Sequence, residues 1–152
     1  MKTLDDPAVL ASLVARLSAL TPERERRWGT LTPHEMLCHL ADAGDMALRR
    51  HARPASIRRR TRLVFKGLLL WTPVRWPHGV KTNPKHDPRA QGTKPTAFEA
   101  DLARAVAVLR ELAAAGTDAF EPLHGIFGTM SRRDWERWAY KHTDYHLRQF
   151  GL

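Results

Sequence analysis

Leucine, valine and alanine recur along most of this chain at spacings of three and four, the period of an amphipathic helix. Leu10, Leu13, Val14, Leu17 and Leu20 form the first such stripe. It is opened by Asp6 and Pro7, a cap residue followed by a proline at the first helical position, and closed by Thr21-Pro22. Thr32-Pro33-His34-Glu35 has the form of a capping box. The helix it opens is predicted to run to about residue 50, with Met36, Leu40, Ala43 and Ala47 along one side. A third helix is predicted over residues 63–71, apolar on every side and therefore expected to be buried. Residues 73–95 hold five of the ten prolines and read as loop. A loop of that length is uncommon unless it has work to do, so it is expected to form an ordered cover over one end of the molecule. Residues 96–115, rich in alanine, leucine and glutamate and closed by Gly116, predict a fourth helix with Leu102, Val106, Leu109 and Leu112 facing inward. A turn over residues 121–128 leads to Ser131, which caps a last helix carrying Asp134 and Glu136 near its start, Arg148 in its last turn and Gly151 just past its end. No stretch alternates long enough for a sustained strand, and there is no internal repeat. The pattern predicts an all-α fold: an antiparallel four-helix bundle with an additional short helix and a long proline-rich crossover loop.

Composition narrows the picture. At 152 residues a single domain spanning 1–152 is the expectation. A hydrophobic fraction of 43% with 27% charged residues excludes wholesale disorder. The formal charge of +9 favours anionic partners. Much of it lies in Arg49, Arg50, Arg53, Arg58, Arg59, Arg60 and Arg62. That run has no base-reading motif and no interleaved aromatics, so it reads as a solvated basic face without specific nucleic-acid binding. The apolar segment that follows, residues 63–74, is interrupted by Lys66 and falls short of the roughly 20 residues a membrane span needs. A basic amphipathic surface anchor is the competing reading of that segment, and its all-round apolar character argues for burial instead. Cys38 is the single cysteine, which excludes an internal disulfide and any multi-cysteine zinc site and suits a reducing compartment. The N-terminal residues carry no apolar stretch of signal-peptide length. A cytoplasmic protein with no membrane partner is expected, and a homodimer remains compatible.

Eight histidines are the candidate chemistry: His34, His39, His51, His78, His86, His124, His142 and His146. His142 and His146 stand four apart on the last predicted helix, stacked on one face and able to share a metal. Chance alone gives about 0.4 of a pair at that spacing, so the pair by itself is a weak signal. His39, on the second helix with Asp42 one turn on, is the candidate third ligand, or else a core histidine bonded to a neighbour. Cys38 points roughly 100° away from His39 around a helix, which disfavours a cysteine–histidine catalytic pair. His124, between glycines, reads as a structural corner with a smaller claim to line a pocket. His34 and His51 read as surface positions, Glu35 as occupied by its capping box, and Trp135 and Trp138 as core or pocket wall beside His142.

The segment from Trp28 through His39 to Asp42 resembles the second-helix region of the DinB-like superfamily. His124-Gly-Ile-Phe-Gly128, Ser131-Arg-Arg-Asp-Trp135 and the stretch from Tyr140 through His142, His146 and Gln149 to Gly151 resemble an uncharacterised bacterial branch of it. The resemblance covers both ends of the chain well and residues 53–95 poorly. It implies a four-helix bundle whose His39, His142 and His146 hold a divalent metal, with Gln149 in the position of the family's glutamine. Tyr145 stands where a further histidine is expected. Zinc or nickel leads among the metals, with iron and manganese also compatible with imidazole ligands. Some relatives are transferases or isomerases that use low-molecular-weight thiols such as mycothiol or bacillithiol, and others are called metal-dependent hydrolases. The resemblance therefore implies thiol transfer or hydrolysis on a small-molecule electrophile, with a low-molecular-weight thiol as a possible co-substrate. Three protein ligands leave a coordination position open, the pattern of a catalytic site. Asp42 is the candidate catalytic carboxylate, as base or ligand orienter, against the reading of a plain solvated helix carboxylate. A non-catalytic module of the same fold that binds a small ligand is the alternative, with a nucleic-acid-associated basic protein behind it.

Overall fold

A computed structural model describes residues 1–50, 59–80 and 82–152, the side chains of 59–63 excepted. His51, Arg53 and Arg58, and the side chains of Arg59, Arg60 and Arg62, lie outside that description. The molecule is mostly helical: α1 (Pro7–Ser18), α2 (Pro33–Ala47), α3 (Arg59–Trp71), α4 (Phe98–Ala114) and α5 (Arg132–Gln149), with a two-stranded antiparallel hairpin of β1 (Leu123–His124) and β2 (Gly128–Thr129). Helices α1, α2, α4 and α5 pack on one another as the bundle, and α3 leans on α5 and the hairpin.

The local signals explain where the helices begin. Asp6 accepts from the Ala8 N–H at 2.9 Å, with Pro7 at the first helical position of α1. Thr32 and Glu35 exchange side-chain and backbone hydrogen bonds at the start of α2, and Ser131 and Asp134 do the same for α5. Helix α2 stops at Ala47, short of residue 50, because Arg49 takes a left-handed backbone with φ of 59°. Its guanidinium then reaches the Phe120 carbonyl at 2.6 Å, and Arg50 pairs with Asp45 and Glu111. These two members of the basic run are therefore tied to the bundle.

The bundle's centre holds Leu13, Leu17, Met36, Leu37, Trp135 and Leu147, each at most 1% exposed. Helices α2 and α4 approach closely at Gly44. A Cβ there would sit 2.3 Å from Val108, so only glycine allows that contact. The expected burial of α3 is corrected. Leu70 is fully buried, but Val64, Phe65 and Leu68 are 71%, 47% and 47% exposed. Residues 63–71 of the helix are apolar apart from Lys66 and Gly67, yet only part of that surface is covered by the described residues. No helix among them is long and apolar enough to cross a membrane.

Residues 73–95 contain a short 3₁₀ turn, Pro84–His86, that packs on α2. The loop is pinned there by three anchors. Arg89 bonds Glu35 and the Thr30 carbonyl, Thr93 bonds Asp42, and the His86 carbonyl meets His39.

Candidate metal centre

Helix α2 supplies one histidine and α5 supplies two. His142 and His146 lie one turn apart, and packing of α2 on α5 brings His39 against them. The His39 and His142 Nε2 atoms are 3.1 Å apart. One nitrogen from each of the three rings lies within 4.8 Å of the others. His39 and His146 are buried, and His142 is half-buried.

Hydrogen bonds on the outer edges fix which nitrogens face inward. The His86 carbonyl can only accept, so His39 donates to it from Nδ1 at 2.8 Å and its Nε2 keeps a lone pair. Likewise His146 donates from Nδ1 to Gln149 Oε1 at 2.7 Å. Metal-binding histidines are held in this way, the second ring nitrogen donating to a carbonyl and the tautomer thereby set. Gln149 is itself backed by Gly29, whose φ is +88° and where a Cβ would lie 2.4 Å from the Gln149 side-chain nitrogen. Burial holds all three imidazoles below the usual histidine range, and for His142 the neighbouring His146 and His39 add to this. The three rings are therefore neutral at pH 7, the form that ligates. Three neutral imidazoles whose ring nitrogens converge, with no carboxylate or thiolate among them, fit a divalent ion of borderline softness.

The triad opens into a cavity of about 640 Å³, within the range of small-molecule sites. Trp138 stacks on His142 with ring centroids 4.7 Å apart and planes 17° from parallel. Trp76, Phe65, Leu69 and Tyr145 supply more of the wall, and Pro77, Asn83 and His86 bring the 73–95 loop into it. The described residues of that loop thus cover the end of the bundle that holds the triad.

Asp42 is placed differently from a residue facing the reacting groups. It is 1% exposed and takes no part in the cavity wall. Its Oδ2 accepts the Thr93 N–H at 2.7 Å, and its Oδ1 accepts the Thr93 hydroxyl at 2.7 Å and Arg104 Nη2 at 2.9 Å. Burial opposes its charge, but the Thr93 and Arg104 bonds win and hold its carboxyl below the usual carboxylate range. A carboxylate with both oxygens engaged is a clasp on the loop.

Other sequence expectations sort as follows. Cys38 is buried, and burial with the nearby Asp101 carboxylate pushes its thiol up to about 12, so it supplies no thiolate near neutral pH. His34 is half-buried and pairs with Asp101 at 2.6 Å, a correction to its surface reading. Asp101 also accepts the Thr96 N–H, and that network ties the start of α4 to α2. Trp135 is wholly buried, and Trp138 forms the pocket wall. His124 is at the hairpin corner and also lines the cavity. Sequence reasoning missed His86, Trp76 and the wall role of Tyr145. The local signal for His86 and Trp76 was a proline-flanked histidine and an aromatic in the 73–95 loop, while Tyr145 stands on α5 next to His146.

A family model described as the DinB superfamily matches residues 5–150. No curated protein and no solved structure matches the chain.

Proposed function

The chain belongs to the DinB superfamily, and on that premise we propose a divalent-metal-dependent enzyme that acts on a small electrophile by thiol transfer or hydrolysis. His39, His142 and His146 would hold the metal. The observation that carries this reading is the convergence of three neutral imidazoles, two of them with their outer nitrogens already donating, at one end of a cavity large enough for a small molecule. A metal bound there would supply Lewis acidity and a lowered pKa for a coordinated water or thiol. The chain's own residues do the rest. The His86 carbonyl and Gln149 orient two ligand rings. Trp138 and Trp76 offer flat apolar walls against which a substrate packs. Asp42 and Arg104 keep the covering loop seated through Thr93.

Thiol transfer is the branch that the size of the cavity favours. In either branch the nucleophile, water or thiol, comes from solution, since among the described residues the cavity wall contains no aspartate, glutamate, lysine or cysteine. A cavity of about 640 Å³ has room for two small reactants. The test is a screen of epoxides, maleates, quinones and activated esters with and without glutathione, mycothiol, bacillithiol and cysteine. The protein is purified without an affinity tag and loaded with zinc or nickel. The expected result is turnover that requires both metal and thiol and is abolished in His142→Ala. Stoichiometric metal with no turnover across the screen would favour a small-ligand-binding module of the same fold.

A further inference from the structure

His124 sits where β1 meets a three-residue hairpin loop, and Gly128 takes the left-handed backbone that closes such a loop, with φ of 72°. Its Nδ1 is turned back into that loop and accepts two backbone N–H groups, from Ile126 at 3.1 Å and Phe127 at 3.3 Å. Two donors on one nitrogen leave no room for a proton there. The proton of the neutral ring therefore resides on Nε2. Burial, with His86 nearby, pushes this imidazolium down to about 3, so the ring stays neutral through the ordinary pH range.

The opposite edge of the ring carries Nε2. His124 is half-buried and is part of the wall. Among the described residues Nε2 has no hydrogen-bond partner, yet the one buried side-chain nitrogen or oxygen left unpaired is Arg104 Nη1. The His124 Nε2–H therefore keeps solvent access on a residue of the cavity wall. Trp138 touches both rings: its centroid is 5.9 Å from His124 and 4.7 Å from His142. With its Nδ1 lone pair occupied, this histidine can be neither a metal ligand nor a base through that atom, and what remains is a donor.

We propose that His124 is the specificity-determining hydrogen-bond donor of the cavity, its Nε2–H receiving a carbonyl or anionic oxygen of a flat apolar ligand that packs on Trp138. This rests on the reading that the cavity admits a small molecule. It narrows the substrate class to molecules with an acceptor oxygen set to one side of the group that meets the triad.

The test uses the full-length metal-free protein and two probes of one shape, acetophenone and α-methylstyrene, in which C=O is replaced by C=CH₂. His124→Asn keeps a side-chain oxygen to accept the Ile126 and Phe127 N–H groups, as asparagine does in its own turns, but removes the outward donor. Affinities come from chemical-shift titration. The ring state comes from long-range ¹H–¹⁵N spectra. The expected ring is an Nε2–H tautomer that does not titrate between pH 5 and 8. In His124→Asn, acetophenone is expected to bind about tenfold more weakly, the worth of one neutral hydrogen bond left unmade, while α-methylstyrene stays within about twofold. An equal loss for both probes, or no loss for either, overturns the donor role and leaves the cavity reading standing. An Nδ1–H tautomer overturns it as well. Failure of the wild-type protein to bind either probe overturns the cavity reading and this proposal with it.

Discussion

Asp42→Asn separates a structural clasp from a catalytic base. The substitution keeps shape and one acceptor oxygen. Either orientation of the amide sets its NH₂ against a donor, the Thr93 N–H or Arg104 Nη2, in a site that is 1% exposed. Losing a charge-assisted hydrogen bond at a buried group costs about 1.5–3 kcal/mol. Arg104 loses one of its two carboxylate partners but keeps Asp45 at 2.7 Å, and its side chain is 32% exposed, so screening limits that part to roughly 0.5–1 kcal/mol. The total is about 2–4 kcal/mol, or a fall in Tm of roughly 5–15 °C for a domain of this size. Circular dichroism melts of metal-free wild type and variant measure it. The loop that Thr93 anchors also carries the carbonyl that holds His39, so metal affinity is expected to weaken in the same variant. A variant that melts with the wild type, binds metal equally well and loses only turnover would refute the clasp and support Asp42 as base or ligand orienter.

Gly29→Ala should weaken metal binding by about tenfold, at the low end of what loss of an outer hydrogen-bond partner costs. The new Cβ would strike the Gln149 side chain that holds His146, and the alanine would be strained at φ of +88°. Zinc titration against a chromophoric chelator measures this; unchanged affinity would mean that Gln149 does not position His146. Stability of the metal-free protein should fall as pH drops below about 6.5, followed by urea unfolding at pH 5 to 8. The sign follows from the histidines. In the folded chain His39, His142 and His146 are held below the ordinary histidine value of about 6.5, so between that value and their folded pKa the unfolded chain binds more protons. The stability is complete above that value and is lost as pH falls, by up to about 1.4 kcal/mol per pH unit for each histidine. A flat profile down to pH 5 would contradict their burial as neutral rings.

What the sequence made legible was local. The box at Thr32/Glu35, the cap at Ser131, Pro7 at the start of α1, and the four-residue spacing of His142 and His146 each involve neighbours in the chain, and each is realised. The same spacing could not say what stood opposite. His39 could be named from position only as a candidate, strengthened by resemblance to a family, because its partner is 103 positions away and the α2–α5 packing that unites them is a tertiary event. Asp42 was read from its distance to His39 along one helix, yet its carboxylate turns to Thr93, 51 residues on. The outer face of α3 was misread for a related reason. An apolar pattern states what a helix would gain from burial, and the number of neighbours that fold over it is decided by the rest of the chain. His86 was silent because its part in the site is played by a backbone carbonyl, which every residue possesses.

The most direct test of the central claim is metal stoichiometry in the triad variants. Untagged wild type and His39→Ala, His142→Ala and His146→Ala are stripped with chelator, dialysed against equimolar zinc or nickel, freed of excess ion and assayed by plasma mass spectrometry, with circular dichroism confirming helix content. The account predicts about one ion per wild-type chain and only traces in each variant, since two imidazoles without the third hold an ion poorly. A folded His142→Ala that retains the full wild-type complement would contradict it.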